Sequence, residues 1–127
     1  MERGIKGHIE VTVDEKNIAS SLGSGEVDVF ATPCLIGIME EASQSSVKPF
    51  LDEGMVTVGT KLDVSHDAAT PIGMKVWAES ELIEIDGRRL VFTVKAYDEC
   101  GMVAQGTHER FIVKLDRFME KANAKKK

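Results

Sequence analysis

The chain has 127 residues, 43% of them hydrophobic and 29% charged, with a formal net charge of −5 at pH 7. That size and balance predict one soluble globular domain around a single core. The acidic balance argues against a sequence-independent nucleic-acid binder, which must neutralise phosphates with basic side chains. No window approaches the ~18 apolar residues that a membrane span requires.

The segment from Met1 to Glu10 alternates charge with single apolar residues and holds no continuous apolar run, so it does not read as a signal peptide. From His8 to Val13, the apolar Ile9, Val11 and Val13 alternate with His8, Glu10 and Thr12, the pattern of a half-buried strand. Lys16 to Val27 clusters Ser20, Ser21, Gly23, Ser24 and Gly25 and reads as a loop, or a short helix followed by a loop. Its Gly-Ser-Gly is too short for a phosphate loop and lacks the lysine that would follow.

In "FATPCLIGIMEEASQSSVKPFLDEG" the period changes to that of a helix. Thr32 reads as the N-cap and Pro33 as the first helical residue. Leu35, Ile38, Met39, Ala42 and Val47 recur at helical spacing. Cys34, Ile36 and Gly37 make the first turns apolar on most sides, which predicts a deeply buried helix closed by Pro49 and Gly54.

Beyond Gly54 the chain reads as strand. Val56, Val58, Thr60, Leu62 and Val64 alternate as one face, and Thr70-Pro71 ends the run. Strands follow from Met74 to Leu82, Leu90 to Ala96 and Met102 to Lys114, with turns at Asp86-Gly87 and Glu99-Cys100-Gly101. The order predicts an α+β domain over residues 1–127 with the hot-dog fold, one long central helix wrapped by a curved antiparallel sheet. Residues 118–127, with their basic end from Lys121, are expected to fray. A meander of this length leaves an open outer strand, which predicts a homodimer or a dimer of dimers.

Three polar positions stand out. Thr32 is explained by capping alone. Of the adjacent Glu40 and Glu41, one faces solvent while the other points roughly 100° away, toward the sheet, where a carboxylate is a natural general base. His66 ends a strand, either solvated or part of a site. Cys34 in the first helical turn is a candidate nucleophile, yet its neighbours Leu35 and Ile36 favour a packed thiol. His8 reads as a solvent-side strand residue. Cys34 and Cys100 match no metal or redox spacing and read as two reduced thiols of a cytoplasmic protein. No cluster has zinc spacing.

Taken together, "FATPCLIGIMEEAS", "TVGTKLDVSHDAATPIG" and "GTHERFIV" resemble the fluoroacetyl-CoA thioesterase-like family of hot-dog proteins. The resemblance implies a catalytic set of Thr32, Glu40 and His66, and it selects Glu40 over Glu41. It also implies a substrate site lined by Gly59 and Arg110. The activity implied is hydrolysis of a small acyl-CoA thioester to the free acid and CoA. CoA then belongs to the substrate, and neither a cofactor nor a metal is expected. Glu40 either activates water or attacks the carbonyl itself. The loop ahead of the helix departs from the family's defining enzyme: it carries no aromatic before Phe30, where that enzyme places phenylalanines. Two other functions fit the same fold. A non-catalytic acyl-CoA binding or sensing module needs no base. A hot-dog dehydratase has a different His and Asp pattern from "SHDAA".

Overall fold

Alternating apolar residues build the sheet, and the helical stripe supplies what the sheet buries. The computed structural model describes residues 1–126. In chain order the elements are β1 (Lys6–Thr12), the one-turn α1 (Ala19–Leu22), the long α2 (Thr32–Val47) with a 3-10 turn at Lys48–Phe50, β2 (Met55–His66), β3 (Lys75–Asp86), β4 (Arg89–Asp98), β5 (Gly101–Lys114) and α3 (Leu115–Asn123). The strands form one five-stranded antiparallel sheet in the order β1-β3-β4-β5-β2. Hairpins join β3 to β4 and β4 to β5, while β2 pairs with β5 at the far edge.

Helix α2 lies on β1, β3 and β4. Its buried Leu35, Ile38, Met39, Ala42 and Val47 join Val76, Ala78, Leu82, Leu90, Phe92 and Val94 in one core. A fully buried side chain of the Leu or Phe kind contributes about 1.5–3 kcal/mol. Strand β1 approaches the helix so closely that a Cβ on Gly7 would run into the Ala42 carbonyl. Among the described residues no helix is long and apolar enough to cross a membrane.

Three details differ from the sequence reading. Helix α2 is buried on one side only: Pro33, Gly37 and Glu41 are exposed, and Ile36, Glu40 and Gln44 are half-buried. The apolar Pro33, Ile36 and Gly37 thus form an uncovered stripe, because the sheet backs the opposite face. The chain from Leu115 to Asn123 is helical where fraying was expected from residue 118. The spacing of Leu115, Phe118 and Met119 marks one face of that helix, and all three are exposed.

The third difference is a bulge. Gly59 pairs with Arg110 and Lys61 with Glu109, so Thr60 is an extra residue on β2. A one-residue insertion exchanges the faces of a strand. Val56, Val58 and Thr60 therefore do not share a face with Leu62 and Val64. Thr57 and Gly59 do, opposite the inward β5 residues Arg110 and His108.

Candidate active site

The first cluster lies at the rim, where β2 ends beside the start of α2. Ala31, with extended backbone (φ −73°, ψ 139°), caps the helix, and no side chain makes a capping bond there. Thr32 is the first helical residue, which corrects its reading as the cap. Its hydroxyl is committed elsewhere: Oγ1 is hydrogen-bonded to His66 Nδ1 at 2.8 Å. Thr32 is exposed and His66 half-buried. The pair opens on a cavity of about 270 Å³, whose other walls include Ala19 of α1 and Gly25, Val27 and Val29 of the loop after it. A larger groove of about 370 Å³ runs over β1, β3 and β4, and His8 lines it, exposed as expected. None of Thr32, Glu40, Gly59, His66 and Arg110 lines it. Its cations Lys6 and Lys95 stand among Glu79 and Glu81, so its charges are mixed rather than convergent.

The second cluster lies on the floor between α2 and the β2–β5 pair. Arg110 is buried, donating from Nε to Thr57 Oγ1 and from Nη2 to the Thr57 carbonyl, both at 2.8 Å. Its Nη1 faces Glu40 Oε2 at 3.8 Å and His108 Nε2 at 3.2 Å. His108 is fully buried and bonds through Nδ1 to the Lys61 carbonyl at 2.8 Å. A carbonyl only accepts, so Nδ1 carries a proton; a guanidinium only donates, so Nε2 offers its lone pair. The imidazole held this way is neutral. Burial, followed by the charge of Arg110, draws its pKa below the ordinary value against the pull of the Lys61 carbonyl. Burial also lowers the Arg110 pKa, and Glu40 opposes that shift.

Gly59 completes the floor. A Cβ there would lie 2.7 Å from Glu40 Oε2, 3.3 Å from His108 Cε1 and 3.4 Å from Arg110 Nη1. The carboxylate occupies the space that a side chain would take.

The five residues singled out in the sequence thus fall into two groups. Thr32 touches His66, and Glu40 gathers with Gly59 and Arg110. The groups are not in contact, because eight residues of helix separate Thr32 from Glu40 by a rise of roughly 12 Å. Glu41 is exposed and meets neither. Cys34 is half-buried, and burial raises its thiol pKa with help from the charge of Asp14, which opposes thiolate formation.

Sequence reasoning missed His108 and Thr57. The signal for His108 was available, since it lies two residues from Arg110 on one strand and so shares its face. Nothing flagged Thr57, whose face is set by the bulge. Chemically, the floor offers a carboxylate beside fixed cationic donors, and the rim a hydroxyl–imidazole pair. Those are the parts needed to activate water and to meet developing negative charge on a carbonyl oxygen. Among the described residues, no three His, Cys, Asp or Glu side chains gather where they could hold a metal ion.

Comparison with known proteins shows what the whole chain is similar to. The family model described as fluoroacetyl-CoA-specific thioesterase matches residues 13–116. A fluoroacetyl-CoA thioesterase of Streptantibioticus cattleyicolor is 40% identical over 98 residues, covering 77% of this chain and 70% of that protein. A solved structure of the fluoroacetyl-CoA thioesterase FlK superposes with a TM-score of 0.93 at 34% identity, covering 100% of this chain and 98% of the other. A FlK variant in complex with acetyl-CoA gives a TM-score of 0.93 at 32% identity, with 100% of both chains covered.

Proposed function

Because this chain belongs to the fluoroacetyl-CoA-specific thioesterase family of hot-dog proteins, we propose that it hydrolyses a small acyl-CoA thioester to the free acid and CoA. The observation that carries this reading onto the present residues is the 2.8 Å bond between Thr32 and His66 at the mouth of the cavity. Binding alone would not require a hydroxyl and an imidazole poised together. Water adds through its oxygen to the thioester carbonyl carbon, the C–S bond breaks, and the departing thiolate takes a proton. Glu40 accepts the proton of the attacking water. Thr32 donates toward the carbonyl oxygen as it gains charge, and His66 passes a proton to the sulfur. Arg110 holds the Glu40 carboxylate, and Gly59 leaves it room. CoA arrives as part of the substrate and no resident cofactor takes part. The two free cysteines agree with a cytoplasmic setting.

A homodimer accounts for the uncovered stripe of α2. A second copy packed antiparallel over Ile36 and Gly37 sets the partner's Glu40 beside the Thr32–His66 pair, closing the 12 Å separation within one chain. Assembly in pairs, or pairs of pairs, also covers the open edge at β2.

The test is release of free thiol from a panel of acyl-CoAs. The parent should turn over at least one of them, and a folded His66→Ala variant should lose about 10²–10⁴ in rate. Binding without thiol release would make the protein an acyl-CoA binding module instead. Mixing His66→Ala with Glu40→Gln chains tests the shared site: turnover should return on mixing, and a persistently inactive mixture would place each site within one chain.

A further inference from the structure

The Thr32–His66 bond lies where water competes for both partners, and such a bond contributes only about 0.5–1.5 kcal/mol net. It does not hold its own geometry. The backbone around it does, and one buried residue joins both halves. After His66, the amides of Asp67 and Ala68 donate to the Val103 carbonyl at 2.7 and 3.2 Å, fastening the turn to β5. Thr70 then turns into the protein and is 1% exposed. Its hydroxyl donates to Asp98 Oδ2 at 2.8 Å, at the end of β4. The second oxygen of Asp98 accepts the Cys100 amide at 2.8 Å. On its other side the Thr70 carbonyl accepts the amide of Phe30 at 2.8 Å. Phe30 is buried and stands two residues before Thr32.

We infer that Thr70 and Asp98 are positioning residues for the Thr32–His66 pair. The chain that carries His66 and the chain that delivers Thr32 meet at one peptide, the Thr70 carbonyl. That peptide is pinned to the β4–β5 hairpin through the Thr70 hydroxyl and the Asp98 carboxylate. Neither residue lines the cavity of the pair. A buried carboxylate that loses a donor costs stability as well, so the test must separate geometry from folding. The inference rests on the proposed chemistry for its kinetic consequences and on the hydrogen bonds alone for its structural ones.

Thr70→Val keeps the branched shape and removes the donor, whereas Thr70→Ser restores it. In protein labelled with ¹⁵N-histidine, Thr70→Val should move the His66 ring resonances toward those of Thr32→Ala, and Thr70→Ser should leave them at the parent positions. Where Thr70→Val does not fold, Asp98→Asn reads the same shift. Kinetically, Thr70→Val should lower kcat on the order of tenfold with KM little changed, and it should add almost nothing in a Thr32→Ala background. Unmoved His66 resonances in folded Thr70→Val or Asp98→Asn overturn the inference, as does a cost that multiplies with that of Thr32→Ala. A parent that releases no thiol but shows the expected NMR shifts overturns the hydrolase reading and leaves the positioning intact.

Discussion

The bond between Thr32 and His66 and the bond from Arg110 Nε to Thr57 have the same length, 2.8 Å, in opposite surroundings. The rim pair is open to solvent, uses two side chains and depends on backbone anchors further along the chain. Two members of the floor are nearly dry: Arg110 is 6% exposed and His108 fully buried, and each is tied to a backbone carbonyl, while Glu40 beside them is half-buried. Equal distances therefore carry different duties. Buried donors whose partners are fixed before substrate arrives have no reorganisation left to make, and that is where electrostatic work is done best. The half-buried imidazole at the rim instead faces the open cavity together with the Thr32 hydroxyl.

The comparison breaks most easily at the carboxylate. Glu40→Gln should lower kcat by about 10²–10⁴ in folded protein, while the neighbouring Glu41→Gln leaves thiol release near the parent rate. The reverse result would move the site off this face of α2. Gly59→Ala tests whether the floor is as fixed as its geometry states. The new methyl must displace the Glu40 carboxylate, a flexible chain end, so folding should survive with a melting temperature close to the parent's. A misplacement of that size should cost turnover on the order of 10²-fold. An active Gly59→Ala enzyme would mean that Glu40 works equally well from another position.

Smaller effects sharpen the contrast. His108 is held neutral in the folded chain with its pKa lowered from the ordinary 6.5, first by burial and then by Arg110. Above that value neither the folded nor the unfolded chain protonates it, and its contribution is intact. As pH falls through 6.5, the unfolded chain takes up a proton that the folded chain resists, so stability falls toward acid. Urea unfolding at pH 7.5 and 5.5 should show this loss, and His108→Gln should flatten it; an unchanged slope would contradict the neutral imidazole. The least effect belongs to Cys34→Ala, which should keep the parent kcat/KM because burial already opposes its thiolate. A large loss in folded protein would make Cys34 a participant.

The helix, its apolar stripe and the meander were legible in the sequence because each follows a local period. Leu35, Ile38, Met39 and Ala42 recur at helical spacing, and the hairpin turn at Asp86-Gly87 carries its own signal. What stayed hidden is set by contacts distant in sequence. Thr32 looked like a cap because its sequence context is that of a cap; only the end of β2, 34 residues away, shows where the hydroxyl goes. The helical end of the chain was misread because its lysines outweighed the spacing of Leu115, Phe118 and Met119. His66 and Gly59 were both placed at the site, although a strict two-residue alternation assigns them to opposite faces of the strand.

Thr60 reconciles them, and its position bears on how this site can change over time. No point substitution elsewhere in β2 removes Gly59 from the floor, because the face of each residue is fixed by counting, not by identity. Deleting that single residue does so at once. It restores strict alternation and exchanges the two faces of one half of the strand, so that either Gly59 and Thr57 leave the floor or His66 leaves the rim. Replacement at other positions of this strand leaves that count intact, whereas a single insertion or deletion breaks it. An alignment that sets a gap one position away from Thr60 would assign the wrong residues to the site while scoring almost as well.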